Sequence, residues 1–380
     1  QAAPQRRWLL DMTSGGSGTE GFPFSVWARL MRRVITEEGE RLLPSMPHSG
    51  ALPLRQALAR HIYQFRGIAA DPEQIVVGAG TEYLYNLLVQ LLGRDCLYGV
   101  EDPGYGTIAH LYRAAGAEVT ALPLDEAGVS AEALRRSGAD VVHISPSHHY
   151  PTGLVMPIAR RQELLRWAQE VPARVILEDD YDSEFRFVGR PIPTLFSIDG
   201  GEQVVYLNTF SKTIAPSIRI SFMVLPRRLL ADFRQKLGFY ACTVSAFEQY
   251  TLAQFLAGGW YEKHLSRMRK HYQNGRATCR ATVHNSALAA SSNNTEQHAR
   301  LQFLLRLDRL RQTGGKLTAA RPAQEGEGVS ILSIHRSKGL EKPAVLLCGL
   351  SRRLNRDDLQ RPVLFHPVLG VGPRGLDRAR

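Results

Sequence analysis

Short apolar runs alternate with amphipathic segments between residues 72 and 240. The runs have the length and the β-branched content of buried strands, and the segments between them repeat apolar residues at helical spacing. This pattern predicts strands at residues 75–77, 97–100, 118–124, 141–145, 175–177, 204–207 and 220–225, and helices near residues 81–92, 107–115, 131–136 and 159–169. Such alternation predicts an α/β fold in which a mostly parallel sheet lies between two layers of helices, a three-layer αβα arrangement.

The alternating pattern ends before residue 247. Residues 247–284 are helical in pattern, with Trp260, Leu265 and Met268 spaced to face a core. A stretch rich in Ala, Ser and Asn then predicts a linker at residues 286–296. We therefore expect four regions: an N-terminal segment with a loop leading to a small domain (1–50), a large domain (51–285), the linker (286–296), and an unrelated partial C-terminal segment (297–380). In that last segment, strands are expected at 329–334 and 344–347, and little regular structure over 362–380.

Length and composition limit the class of protein. A chain of 380 residues with 44% hydrophobic residues can bury a full core and predicts more than one domain. No apolar run approaches twenty residues and no signal peptide is visible, so we expect no membrane span. The cysteines are far apart and form no CxxC pair, which favours a reducing, cytoplasmic location and argues against a metal site. They are Cys96, Cys242, Cys279 and Cys348.

The positive charge is concentrated in the last quarter of the chain. Residues 294–380 carry 16 Lys and Arg against 8 Asp and Glu, whereas the whole chain has a net charge of +11. A basic tail can contact DNA, and it can equally be a solvated arginine-rich segment.

Two of the predicted strands end in reactive side chains. Lys212 follows a hydroxyl-rich turn after the run 204–207, and the run 175–177 leads into the acidic cluster Glu178-Asp179-Asp180. In open α/β sheets, ligands bind in the crevice at such strand ends. An amine, a carboxylate, hydroxyls and Arg219 suit a phosphorylated aldehyde cofactor: the amine forms a Schiff base and the carboxylate pairs with a pyridinium nitrogen. Asp179 and Asp180 both remain candidates for that carboxylate.

Four sequence blocks, in order, carry a resemblance to a known family. They are Asp-Pro-Glu-Gln-Ile-Val-Val (71–77), Glu-Asp-Pro-Gly-Tyr (101–105), Pro-Ser-His-His-Tyr-Pro-Thr-Gly (146–153), and residues 178–185 taken together with 209–219. With these blocks, residues 8–284 resemble the large domain of fold-type I pyridoxal-phosphate enzymes, the class I/II aminotransferases. They resemble in particular the aminotransferase-like domain of MocR/GabR-type regulators.

The resemblance implies pyridoxal 5'-phosphate as cofactor and assigns the residues that act on its ring. Lys212 is the Schiff-base lysine, Asp179 pairs with the ring nitrogen, and Tyr181 donates to the ring hydroxyl; these three are the catalytic candidates. The family pattern favours Asp179 over Asp180 because of the tyrosine two residues later. Tyr105 stands where the family stacks an aromatic ring on the cofactor. Tyr150 replaces the asparagine of ordinary aminotransferases.

The phosphate group implies a second set of residues. Backbone N–H groups at a helix N-terminus, hydroxyls and a cation are the usual phosphate ligands. The resemblance supplies them from two sides of the crevice: Gly80, Thr81 and Glu82 from one, and Thr209, Ser211 and Arg219 from the other. A Gly-Thr pair on its own is more often an ordinary helix cap.

The resemblance allows two functions for this domain. The first is an aminotransferase (transaminase) that acts on an amino acid or an amine. The second is the effector-sensing domain of a MocR/GabR-type transcriptional regulator, without its DNA-binding module. A homodimer is implied in both cases, although Ser45 stands where dimeric relatives often have a tyrosine that reaches the partner's phosphate. The small domain and its carboxylate-binding arginine are not recognisable in the sequence.

The C-terminal segment resembles a different family. Residues 329–341 and 349–356 are similar to a late motif of UvrD-like helicases, in particular to the A subunit of AddAB-type helicase–nucleases. A chimeric fusion that binds DNA is therefore a third alternative. The chain lacks a GxxxxGK[ST] phosphate loop, so this segment cannot form an ATPase by itself.

Overall fold

An eight-stranded sheet forms the centre of the domain, with the strand order β1-β8-β7-β6-β5-β2-β3-β4. The strands are β1 (Ile75–Ala79), β2 (Leu97–Asp102), β3 (Glu118–Asp125), β4 (Gly128–Val129), β5 (Val141–Ile144), β6 (Val175–Asp179), β7 (Val204–Thr209) and β8 (Ile220–Val224). Neighbouring pairs are parallel except those made by β4 and β8. Because β8 is antiparallel to both β1 and β7, these two strands point the same way as β6, β5, β2 and β3.

The computed structural model describes residues 21–185 and 192–271, together with the backbone of two short strands, β9 (Val363–His366) and β10 (Gly370–Pro373). The helices are α1 (Phe24–Glu38), α2 (Leu52–Arg66), α3 (Thr81–Leu92), α4 (Gly106–Ala114), α5 (Ala131–Ser137), α6 (Ile158–Gln169), α7 (Leu195–Asp199), α8 (Leu230–Leu237) and α9 (Ala246–Ala257). The sheet and all nine of these helices lie in one unit, Gly16–Arg269.

Two hydrophobic cores, one on each face of the sheet, hold the layers together. On one face α3, α4 and α8 pack on side chains such as Val175, Leu177 and Val205. On the other face α2, α5, α6, α7 and α9 pack on Ile176, Val204 and further strand residues. Since alternate residues of β6 and β7 enter opposite cores, both faces of these strands are buried, as expected for central parallel strands. The predicted three-layer α/β fold is confirmed.

The structure corrects two sequence predictions. The single helix expected over 247–284 ends instead at Ala257; Gly258 and Gly259 form a turn, and a second helix covers residues 260–271. Gly259 has a φ of +68°, a left-handed conformation that glycine adopts without the clash of a Cβ atom. In the C-terminal segment, β9 and β10 pair as an antiparallel hairpin within the stretch where little regular structure was expected.

Some of the other predictions are confirmed, and others lie outside the described residues. Leu265 and Met268 are buried as predicted, and Trp260 packs partly buried against the core. The predicted linker and the strands at 329–334 and 344–347 lie outside the described residues. In the part of the chain that the structure describes, no helix is long and apolar enough to cross a membrane.

The turn after α9 yields a stability prediction. Replacing Gly259 by alanine should destabilise the fold by about 1 kcal/mol, because a Cβ atom strains the left-handed conformation. Urea unfolding measures the change. Gly106→Ala, at a helix start with open space around it, should leave stability unchanged or raise it slightly. Equal effects of the two substitutions would contradict the assignment of strain to residue 259.

Candidate functional site

The predicted site residues come together because the strands that carry them point the same way. Gly80, Thr81 and Glu82 follow β1, Asp179 ends β6, and Thr209 ends β7. Tyr105 and Tyr150 follow β2 and β5, while Arg219 directly precedes the oppositely directed β8. Ser211 and Lys212 lie in the turn after β7, with Lys212 exposed. All of these residues therefore belong to one edge of the sheet, as predicted for a ligand crevice.

Asp179 has one oxygen engaged and one oxygen free of partners. Its Oδ2 accepts a hydrogen bond of 2.6 Å from the Tyr85 hydroxyl and lies 3.5 Å from His143 Nε2. His143 in turn contacts the Tyr112 hydroxyl through Nδ1 at 2.6 Å. The other oxygen, Oδ1, is buried and has no hydrogen-bond partner among the described residues. A buried carboxylate oxygen without a partner is costly, so this atom fits a ligand that brings an N–H group.

Asp180, the rival carboxylate, is already paired on the opposite face of the sheet. Its Oδ2 lies 2.8 Å from Arg66 Nε and accepts a 2.8 Å hydrogen bond from Tyr206. Arg66 also donates to Asp180 Oδ1 at 3.2 Å and to the Ser147 hydroxyl at 2.8 Å. Both oxygens of Asp180 are therefore occupied, which leaves Asp179 as the carboxylate with an oxygen to offer.

The N-terminus of α3 forms one side of the expected phosphate site. Gly80 is the N-cap residue, and no side chain caps the helix. Arg219, whose φ is +47°, donates a 2.9 Å hydrogen bond to Glu82 Oε2. A Cβ atom on Gly80 would lie 2.2 Å from Arg219 Nη2, so only glycine lets the guanidinium approach the helix end this closely. Uncapped N–H groups beside a guanidinium form an anion site.

Hydroxyl groups form the other side of that site. Thr209 Oγ1 accepts hydrogen bonds from the Ser221 hydroxyl at 2.8 Å and from the backbone N–H of Ser211 at 3.2 Å. The Ser211 hydroxyl is buried and has no partner within the described part of the chain. It can therefore donate to a phosphate oxygen at no loss of an existing bond.

The three tyrosines of the predicted site have different surroundings. Tyr105 is half exposed, and its ring lies edge-on to that of Tyr150 with 6.0 Å between the centroids. The Tyr181 hydroxyl donates a 2.8 Å hydrogen bond to the backbone carbonyl of His148. Its proton is thus used within the protein, so the predicted donation from Tyr181 to a ring hydroxyl requires an exchange of partners.

A buried acid–base pair lies beneath the tyrosine loops. Glu101 Oε2 accepts a 2.9 Å hydrogen bond from the Ser145 N–H and lies 3.4 Å from His149 Nε2. Burial raises the pKa of Glu101 to about 8, and burial together with His148 lowers the pKa of His149 to about 4. Near neutral pH both groups are therefore largely uncharged, which explains how both can be buried next to each other.

Sequence reasoning missed several residues that shape the site. They are Arg66, Tyr85, Glu101, Tyr112 and His143. The histidine stands inside the apolar run 141–144, where a polar residue needs a buried partner, and that pattern was available in the sequence. Tyr85 lies one helical turn after Thr81, a spacing that becomes informative only once α3 is placed against Asp179.

The residues present fit the phosphorylated aldehyde cofactor expected from the sequence. Asp179 Oδ1 and the Ser211 hydroxyl are buried polar atoms that lack partners in the described residues, and they suit a ring nitrogen and a phosphate. The uncapped end of α3 and Arg219 add charge of the sign that a phosphate needs.

Comparison with known proteins identifies the family of the chain. The family profile described as aminotransferase class I and II matches residues 12–332. The match extends past the predicted domain boundary at 285 and into the segment predicted as helicase-like.

Curated relatives in the range of 30–40% identity are regulators by name. The chain is 37% identical to the uncharacterised HTH-type transcriptional regulator YdeL of Bacillus subtilis, over 73% of this chain and 60% of that protein. It is 34% identical to the probable rhizopine catabolism regulatory protein MocR of Rhizobium meliloti, over 71% of this chain and 56% of that protein. The chain thus spans less than two thirds of the length of these relatives.

Solved structures share the fold. A kynurenine aminotransferase of Pyrococcus horikoshii, crystallised with PMP, superposes with a TM-score of 0.62 at 26% identity, over 74% of this chain and 70% of that one. An archaeal alanine:glyoxylate aminotransferase superposes with a TM-score of 0.64 at 22% identity, over 73% and 70%. These likenesses confirm the predicted fold type. None of the proteins named above supports the helicase resemblance of residues 297–380, which stays a prediction.

The Glu101–His149 pair predicts a specific pH dependence of stability. Because the pKa of Glu101 rises from 4.5 to about 8 on folding, the folded state holds a proton that the unfolded state loses first. The free energy of unfolding contributed by this group should fall as pH rises from 4.5 to 8, by at most about 1.4 kcal/mol per pH unit.

Glu101→Gln isolates this contribution, because the amide stays neutral at every pH. The difference in unfolding free energy between the natural protein and Glu101→Gln should decrease steadily over that pH range. Glu163→Gln, at a more exposed carboxylate on α6, is the control for the same change of side chain outside this pair. A constant difference for Glu101→Gln would show that Glu101 is ionised in the folded protein.

Proposed function

Because the chain belongs to the aminotransferase class I and II family, whose cofactor is pyridoxal phosphate, we propose that Lys212 holds this cofactor covalently. The Lys212 amine would be the group that condenses with the cofactor's aldehyde, with release of one water molecule. The observation that carries this proposal is the buried, unpartnered Oδ1 of Asp179 at the same sheet edge as Lys212. The cofactor, when bound, supplies an electron sink for an amino compound.

Different residues of the chain bind different parts of the cofactor. Asp179 accepts the N–H of the ring and so keeps the ring nitrogen protonated. The N-terminus of α3, Ser211 and Arg219 bind the phosphate. Tyr105 and Tyr150 lie edge-on to each other at the crevice, where aromatic rings can pack against the cofactor and an amino ligand. An amino acid or an amine would bind in the same crevice, next to Lys212.

An effector-sensing role accounts best for this site in this chain. The named relatives with 34–37% identity are regulators by name, and they are longer than the matched region. We propose that the chain is the aminotransferase-like domain of such a regulator, which binds an amino compound through the Lys212-held cofactor. A homodimer belongs to this proposal, as the family resemblance implies.

Transamination is the second candidate. The family match and the structural likeness to aminotransferases favour it. Repeated turnover needs a group that clamps the substrate carboxylate. Within the part of the chain that the structure describes, the two arginines named at this end of the sheet already have partners: Arg66 pairs with Asp180, and Arg219 pairs with Glu82.

Attachment of the cofactor tests the first part of the proposal. Protein mixed with pyridoxal phosphate should gain the visible absorbance of a lysine-bound cofactor, and borohydride reduction followed by peptide mapping should locate the label on Lys212. Lys212→Ala should lose both, whereas Lys263→Ala, at a lysine that lies over the Trp260 ring, should keep both. Label on another lysine, or absorbance that survives in Lys212→Ala, would refute the proposal.

Sensing and turnover differ in their products. With the cofactor bound, a panel of amino acids and amines should change the absorbance by binding, with less than one equivalent of keto product released per site. Release of many equivalents when a keto acid acceptor is added would overturn the sensing proposal in favour of transamination. The Lys212→Ala protein serves as the blank for both measurements.

A further inference from the structure

One tyrosine connects the two ends of the cofactor site. Tyr85 lies on α3, buried against the sheet, and its hydroxyl donates the 2.6 Å hydrogen bond to Asp179 Oδ2. Thr81 lies one helical turn earlier on the same face of α3, and it is the first residue of that helix. α3 thus carries Thr81 at the end that would bind the phosphate, and it carries Tyr85 against Asp179 at the end that would bind the ring nitrogen.

We propose that Tyr85 is a positioning residue that orients Asp179 toward the cofactor's ring nitrogen and couples this carboxylate to the phosphate-binding end of α3. The proposal rests on the proposed function, because it assumes that Asp179 and α3 hold pyridoxal phosphate. No comparison assigns a role to this tyrosine.

Geometry makes the donation specific to one oxygen. A single hydroxyl proton fixes Oδ2 in place, and the second oxygen of the same planar carboxylate is then left unpartnered. Burial and the Asp179 charge raise the pKa of Tyr85 well above its ordinary value, so the phenol keeps its proton and stays a donor. His143 Nε2 lies at 3.5 Å from the same Oδ2, beyond a good hydrogen bond, which leaves Tyr85 as the close contact.

The coupling follows from helix geometry. Residues four apart lie on the same face of a helix, so an adjustment of the first turn of α3 carries the Tyr85 hydroxyl with it. Phosphate binding at the N-terminus of α3 therefore steadies the group that holds Asp179. We expect the loss of the hydroxyl to weaken binding of the ring nitrogen through its effect on Asp179.

The experiment compares two cofactor forms in two variants. Tyr85→Phe removes only the hydroxyl. Tyr98→Phe is the matched control, since Tyr98 is equally buried in the same core but donates to the backbone carbonyl of Gly93. Dissociation constants are measured by equilibrium dialysis for pyridoxal phosphate and for an analogue with carbon in place of the ring nitrogen.

We expect Tyr85→Phe to weaken binding of pyridoxal phosphate roughly ten-fold or more, the range for a hydrogen bond to a charged group. Binding of the carbon analogue should change less than three-fold, because it lacks the atom that Asp179 recognises. Tyr98→Phe should leave both constants unchanged.

Equal weakening for both cofactor forms would mean a general structural effect, and unchanged binding of both would mean that the hydroxyl has no role; either result overturns the inference. If the natural protein fails to bind pyridoxal phosphate at all, the proposed function fails first, so the two failures are distinguishable. Should Tyr85→Phe not fold, Tyr85→Met replaces it, because methionine fills the volume flexibly and also lacks a donor. The same two-cofactor comparison then decides.

Discussion

Three consecutive buried carboxylates, Glu178, Asp179 and Asp180, impose the constraint around which the domain is arranged. A buried carboxylate needs hydrogen bonds or an ion pair, and each of the three carboxylates obtains them from different helices. Glu178 accepts from the backbone N–H groups that open α7 and lies 3.6 Å from Arg161 of α6. Asp180 pairs with Arg66 of α2. Asp179, on the other face, takes a donor from α3 and has one oxygen left over. The carboxylates at the C-terminal end of β6 thus bind four helices to the sheet. The one oxygen without a partner among the described residues, Asp179 Oδ1, marks the candidate site.

The order of strands and helices was predictable because it depends on local pattern, which a single sequence contains. The edge at which Lys212, Asp179 and Arg219 meet was also predictable, since parallel strands share their carboxyl ends. The choice between Asp179 and Asp180 was not a matter of local pattern. It depends on which face of β6 each residue occupies and on partners more than ninety residues away, such as Tyr85 and Arg66. The break after α9 was missed although the pair Gly258-Gly259 is a turn signal, because apolar residues continue at helical spacing beyond it.

Binding of the cofactor and the fate of its ligand rest on different parts of the molecule. The groups suited to the ring nitrogen and the phosphate lie on or directly beside strands of the sheet and on α3, which are held by two cores. Lys212 is exposed on a turn, and the tyrosines at the crevice edge stand on loops. A domain built in this way can keep the cofactor firmly while the surroundings of an amino ligand change. Such a separation suits a sensor domain that passes its response to a ligand on to another module. It equally suits an enzyme that releases a product.

The reversed direction of β8 has a consequence for the room available at the crevice. β8 lies between β1 and β7 and is antiparallel to both. At this edge of the sheet the chain therefore enters β8, whereas it leaves β1 and β7. The outgoing turns after β1 and β7 are therefore two strand spacings apart, about 9–10 Å. Between them lies the incoming backbone at Arg219, whose left-handed conformation precedes the strand. One inverted strand thus keeps the two outgoing turns apart and brings the Arg219 cation between them.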